Sequence, residues 1–127
     1  MEKLSSGTKW EETVGYSRGV RIGNVIEIAG TTAVDADGRI IGENDPYTQT
    51  KFIIEKARDA IEKLGGKLEH VARTRIFVTD ISRWEGVGLA HGEFFRKIKP
   101  AATMVEVSRL IQPGLLVEIE FSAVVEG

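Results

Sequence analysis

Two stretches of this chain have the apolar spacing of a helix, and the strands they must cover are apolar on both sides. Asp45-Pro46 opens the first helix. The aspartate side chain can cap free N–H groups, and proline at the first helical position gives up a donor that has no partner there. Ile53, Ile54, Ala57, Ala60, Ile61 and Leu64 then recur at helical intervals until Gly65-Gly66, so the helix should run from about 46 to 64. The second follows Asp80-Ile-Ser, with Ser82 as the expected cap. It carries the stripe Trp84, Val87, His91, Phe94, Phe95 and Ile98, and ends at Lys99-Pro100.

The strands surround these helices. In Val20 to Gly30 the residues Val20, Ile22, Ile26 and Ile28 share one parity, with Arg21 and Glu27 on the other. Asn24 leaves room for a turn and two short strands. Asp35-Ala-Asp-Gly38 is a turn signal, and Arg39-Ile-Ile-Gly reads as the return arm of a hairpin. Residues 70–79 form an internal strand, and 102–110 and 115–125 form two more around Gln112-Pro113-Gly114. Residues 1–15 read as an extended lead-in. The chain is thus one α+β domain, 1–127, with no repeat and no linker. Two helices cover one face of such a sheet. Ile76 and Val78 oppose Phe77, and Val105 and Val107 oppose Met104, so a second apolar face is left over. Self-association is the simplest way to bury it.

Composition narrows the partners. The chain has 127 residues, 42% hydrophobic, with a formal net charge of −2. Its Lys and Arg residues are scattered, so neither nucleic acid nor an anionic membrane is an expected partner. With no cysteine, disulfides, thiol catalysis and thiolate metal sites are all excluded. No segment reads as a membrane span or a signal peptide, so a cytoplasmic protein is expected. His70 and His91 lack the spacing and companions of a metal set, and no cofactor motif is present.

Several strings, in this order, resemble the Rid family, also called YjgF-type. They are Gly15-Tyr-Ser-Arg-Gly-Val-Arg-Ile-Gly-Asn24, Ala29-Gly30, Thr74-Arg-Ile-Phe-Val-Thr-Asp80, Phe94-Phe95, Pro100-Ala101, Val105-Glu-Val107 and Val117-Glu-Ile-Glu120. Members of that family hydrolyse reactive enamines and imines. The resemblance implies a chorismate-mutase-like fold: a mixed six-stranded sheet with two helices on one face. It also implies a homotrimer whose sheets face inward, with a pocket for a small molecule at each subunit interface.

The resemblance implies site residues as well. Tyr16 and Glu118 match polar positions of the family pocket, where the glutamate positions the water that attacks the imine carbon. Family deaminases carry an arginine directly after the Pro-Ala pair, which grips the substrate carboxylate through a two-pronged hydrogen bond. Here that position is Ala102, so little acceleration of 2-aminoacrylate decay is expected. A commonly polar or thiol position is Met104, a family serine is Ala29, and a family asparagine is Gly88. The chain is therefore similar to the subgroups that lack the arginine. Two functions follow: a hydrolase acting on a small imine, enamine or related metabolite, or a non-catalytic trimer that binds a small molecule or a partner.

The residues themselves add candidates. Glu118 and Glu120 share one face of the last strand. On a buried face at least one would have a raised pKa and serve as general acid or base; on an edge strand they are a solvated pair. Arg75 interrupts an apolar strand. It should either pair with Glu106, Glu118 or Glu120, or replace the missing arginine as an anion-binding group. His91 is either a hydrogen-bonded core residue or part of a site, and Tyr16 either lines the pocket or packs there. Thr31 follows the first strand, within reach of a ligand. The cleft expected between Ala102 and Glu118 is either open or filled by Met104.

Overall fold

The computed structural model describes residues 1–126. In chain order the elements are β1 (Glu2–Leu4), α1 (Lys9–Val14), β2 (Gly19–Ile22), β3 (Val25–Thr32), α2 (Pro46–Lys63), β4 (Val71–Val78), α3 (Trp84–Phe95), β5 (Ala101–Glu106) and β6 (Val117–Val124). The six strands form one mixed sheet in the order β1-β2-β3-β6-β4-β5. All neighbours are antiparallel except β4 and β5, which run parallel and are joined through α3.

The α2 boundaries follow from the signals in the sequence. Asp45 accepts a hydrogen bond from the Thr48 N–H, Pro46 sits in the first turn, and Gly65 takes φ 87° beyond the end. Ile53, Ile54, Ala57 and Ile61 of α2 are buried against Ile26 and Ile28 of β3, and against Val117, Ile119 and Phe121 of β6. Burial of each large apolar side chain in this layer stabilises the fold by roughly 1.5–3 kcal/mol.

Several sequence-based expectations need correction. The first fifteen residues are not simply extended: they contain β1 and α1, and Glu11 is buried beneath Ser6 and Thr8. Six residues with only Trp10 and Val14 apolar carry too little periodicity to mark a helix. The turn at Gly23-Asn24 is real, but the parity drawn across it is not. A two-residue hairpin pairs Val20 with Glu27 and Ile22 with Val25, so Val20 and Ile22 lie on the face opposite Ile26 and Ile28. The return arm after Gly38 amounts to a single bridge, Val34 to Ile40. Ser82 does not cap α3. Asp80 caps a 3₁₀ turn over Ile81–Arg83, and α3 starts at Trp84, which stays exposed. The helix ends at Phe95 rather than at Lys99-Pro100, and β5 ends at Glu106 rather than at 110.

The register assigns every strand residue to a face. Ile26, Ile28, Thr74, Ile76, Val78, Val117, Ile119, Phe121 and Ala123 face the helices and are buried. On the open face lie Val20, Ile22, Val25, Glu27, Arg73, Arg75, Phe77, Val105, Glu118, Glu120 and Val124. Ile22, Val25, Val105 and Val124 are between 40% and 55% exposed in the protomer. The second apolar face read from the sequence is present, and no element among the described residues covers it.

Candidate functional site

The site begins at an irregularity in the sheet. Between the pairs Ile28–Phe121 and Thr31–Ile119, Ala29 and Gly30 together oppose Glu120 alone. Such a β-bulge leaves backbone groups unpaired and re-aims neighbouring side chains. Here the Thr31 hydroxyl donates to the Ala29 carbonyl at 2.8 Å, and Arg18 Nη2 donates to the Gly30 carbonyl at 2.6 Å. The Glu118 carboxyl lies directly over Gly30. A Cβ at that position would overlap the carboxylate, so glycine is what lets Glu118 occupy this space.

Glu118 opens into a cleft of about 370 Å³. Tyr16, Arg18, Gly30, Thr32 and Lys56 surround it on the polar side. Trp10, Val14, Ile111 and Leu115 supply an apolar wall. Burial pushes the Glu118 carboxyl pKa above the ordinary glutamate value, the negative charge of Glu120 adds to this, and Arg18 partly offsets it. A half-buried carboxyl with a raised pKa, open to a cleft, is suited to taking a proton from water.

The other sequence candidates separate around this centre. Tyr16 lines the cleft and is 40% exposed. Glu118 and Glu120 do share a face, and Glu120 lies outside the cleft. Arg75 is exposed on the open face, level with Glu120 and Thr103, and makes no ion pair among the described residues. It lines a separate shallow depression with Glu120, Glu27 and Val20, not the Glu118 cleft. Thr31 points to the helix side and is fully buried, its hydroxyl spent on the bulge.

His91 is hydrogen-bonded through Nε2 to the buried Thr74 hydroxyl at 2.9 Å and stacks at a tilt on Phe95, ring centroids 4.6 Å apart. Burial holds its pKa below the ordinary 6.5. Within the protomer the ring is thus held between β4 and its own helix. Ala102 and Met104 are level with Thr74 and Ile76, which places them on the helix side of edge strand β5. Met104 packs against the core and does not fill the Glu118 cleft. Within one protomer Ala102 and Glu118 therefore lie on opposite faces, two strands apart. No group of three or more His, Cys, Asp or Glu able to hold a metal occurs among the described residues.

Two cleft residues escape a reading of the sequence. Arg18 sits beside Tyr16 in the string Tyr16-Ser-Arg-Gly, but strand parity gives no sign that it reaches across β3 to Gly30. Lys56 looks like a solvated helix residue, yet it is half-buried and donates to the Val34 carbonyl at 2.9 Å.

Residues 8–125 match the family described as endoribonuclease L-PSP. This chain is a member of that family, known also as YjgF or Rid. An uncharacterised protein of Streptomyces coelicolor is 37% identical over 97% of this chain and 91% of its own length. A RutC family protein of Pyrococcus abyssi is 32% identical over 83% of this chain and 82% of its own. A crystal structure from Mycobacterium tuberculosis, of the YjgF/YER057c/UK114 family, superposes with a TM-score of 0.89 at 47% identity, covering 98% of each chain. A Rid family protein of unknown function from Yersinia pestis gives 0.84 at 28% identity, covering 98% of this chain and 95% of its own. The Rid fold, with its mixed sheet backed by helices, is thus the fold of this chain. No helix among the described residues is long and apolar enough to cross a membrane.

Proposed function

We propose that this Rid family chain hydrolyses a small imine, enamine or related metabolite in the Glu118 cleft, as a cytoplasmic homotrimer with its open faces turned inward. The raised pKa of a half-buried Glu118, aimed past Gly30 into an open cleft, carries the reading. Glu118 in its carboxylate form takes a proton from water as the oxygen adds to the C=N carbon. That proton passes to the nitrogen to give a carbinolamine, and transfer of the hydroxyl proton to the same nitrogen then breaks the C–N bond, so that imine and water give carbonyl compound and ammonia. Tyr16 lines the site and orients the substrate. No cofactor is needed for this step.

The placement of Ala102 and Met104 supports the homotrimer. Ala102 and Met104 lie on an edge strand and face away from Glu118 of their own protomer, so they approach a Glu118 cleft only by belonging to a neighbour. Arg75, exposed beside Glu120 on the open face, then acts as a structural partner in that interface rather than as the anion grip of the cleft. We do not extend ribonuclease activity to this chain, since its net charge of −2 and scattered cations offer no track for a phosphate backbone.

The test is hydrolysis of freshly generated small imines, followed by ammonia release, with native protein and with Glu118→Gln. Acceleration by the native protein that falls about 100-fold or more in the variant supports the reading. Equal rates for the two proteins overturn it. Ligand binding without turnover by the native protein would replace it with the non-catalytic trimer.

A further inference from the structure

Arg18 is bonded to both residues of the β3 bulge. Its backbone carbonyl accepts the Ala29 N–H at 3.0 Å, while its own N–H donates to the Leu4 carbonyl at 2.8 Å. The side chain reaches one residue further, where Nη2 donates to the Gly30 carbonyl at 2.6 Å. A bulge disrupts the ladder locally, and a carbonyl released from it needs a partner from elsewhere. Arg18 is that partner at Gly30. The Glu118 carboxylate lies across Gly30, so whatever fixes Gly30 also fixes the floor on which the carboxylate rests.

The bond to Gly30 alone does not call for a charge, since an uncharged amide donor could make it. The guanidinium also leaves its Nε buried without a hydrogen-bond partner among the described residues, a cost that a simple tie does not explain. The charge has a counterpart in the same cleft. Burial and the negative charge of Glu120 push the Glu118 carboxyl up, and Arg18 is the group that draws it back. Thr32 on β3 and Phe77 on β4 are level with Glu118 and carry no charge. Lys56 lines the cleft as well, but its amine is held by the Val34 carbonyl and is offset by the charge of Asp35. Tyr16 is the remaining titratable group of the cleft. Arg18 and Glu118 form no ion pair among the described residues, so the carboxylate stays free to meet water.

We propose that Arg18 is the positioning residue of Glu118: it fixes the bulge that the carboxylate lies across, and it sets a positive charge beside that carboxylate without capturing it. In this role it acts through Glu118 and not on the substrate. Without that charge Glu118 would keep its proton to higher pH and serve less well as a base near neutrality. The inference rests on the hydrolytic reading above for the reaction, and on the bulge and the cleft alone for the hold on Glu118.

The Glu118 carboxyl can be followed directly. The full chain is isotope-labelled at its glutamate carboxyl carbons and titrated by NMR, and the Glu118 signal is the one missing from Glu118→Gln. Its midpoint should move to higher pH in Arg18→Met and stay near the native position in Arg18→Lys, which keeps the charge. Glu120→Gln should move it to lower pH. A midpoint that does not rise in Arg18→Met, or that rises as far in Arg18→Lys, overturns the inference. Melting curves show whether Arg18→Met remains folded; if it does not, Arg18→Gln, which keeps a donor but not the charge, is read in its place. In imine hydrolysis the acid limb of the kcat/KM profile should shift to higher pH in Arg18→Met, with the plateau lowered about tenfold or more, and Arg18→Lys should recover the acid limb. The outcomes are separable from those of the hydrolysis test. A Glu118 midpoint that depends on the Arg18 charge, with no imine turnover, keeps the hold on Glu118 and removes the hydrolase. Turnover that is lost in Glu118→Gln but keeps its native pH profile in Arg18→Met does the reverse.

Discussion

The two faces of the sheet are built from the same strands and do different things. Toward the helices, Ile26, Ile28, Ile76, Val117, Ile119 and Phe121 are at most 3% exposed, and no charged side chain of β3, β4 or β6 joins them. The opposite face mixes Ile22, Val25, Phe77 and Val105 with Glu27, Arg73, Arg75, Glu118 and Glu120. A face that only had to meet water would not carry four large β-branched side chains at 40–55% exposure alongside those charges. A face that only had to form a core would not carry the charges. The helix face holds the buried core, and the open face holds exposed apolar side chains together with the charged ones. Glu118 marks the division, since its burial and its neighbour Glu120 oppose its ionised form.

The comparison breaks first at the core. Phe121→Ala should cost about 3–5 kcal/mol in urea unfolding, whereas Phe77→Ala on the open face should cost the isolated protomer much less and instead weaken its self-association. Equal losses for the two variants would mean that the faces do not differ in this way. Next, Gly30→Ala should reduce the Glu118-dependent rate nearly as much as Glu118→Gln does, because the added Cβ displaces the carboxylate. Circular dichroism should show the fold retained. A Gly30→Ala protein with native activity would show that the position of Glu118 over the bulge is irrelevant.

Two smaller effects concern pH. The folded pKa of Glu118 is raised, so its contribution to stability is fully present below the ordinary carboxyl range and is lost as pH rises through the folded value. Glu118→Gln should therefore melt slightly higher than native protein at neutral pH, with the gap closing in acid. A lower melting temperature at neutral pH would show that the ionised carboxylate is favourably paired. His91 has the opposite sign. Its folded pKa is depressed, so its contribution is present above 6.5 and is lost as pH falls through the folded value. His91→Phe should flatten the acid side of the melting profile, and an unchanged profile would place the acid sensitivity elsewhere.

Most of the fold was legible because it rests on local chemistry. Asp45, Pro46 and Gly65 bound α2, and the apolar run from Val71 to Val78 marks β4 as internal, paired on both edges. The misreadings occur where a long-range choice overrides a local pattern. The Gly23-Asn24 hairpin inverts the parity of Val20 and Ile22, and α1 owes its place to Glu11 bonding back to Ser6 rather than to an apolar stripe. The site divides in the same way. Glu118 and Tyr16 could be named from the sequence, and the structure brings both to one cleft. Arg75 stood out because a charge in an apolar strand looks buried, but it lies on the exposed face. Arg18 and Lys56 could not be picked out, because each depends on a carbonyl that only the bulge and the turn after β3 bring into reach.

The proposed homotrimer requires copies of the same chain to cover the open face. Sedimentation equilibrium of the native protein tests it most directly, since one protomer is 14.0 kDa. A single species of three protomers is expected at micromolar concentration, shifting toward monomer in Val105→Glu. A native protein that sediments as one protomer throughout would contradict it.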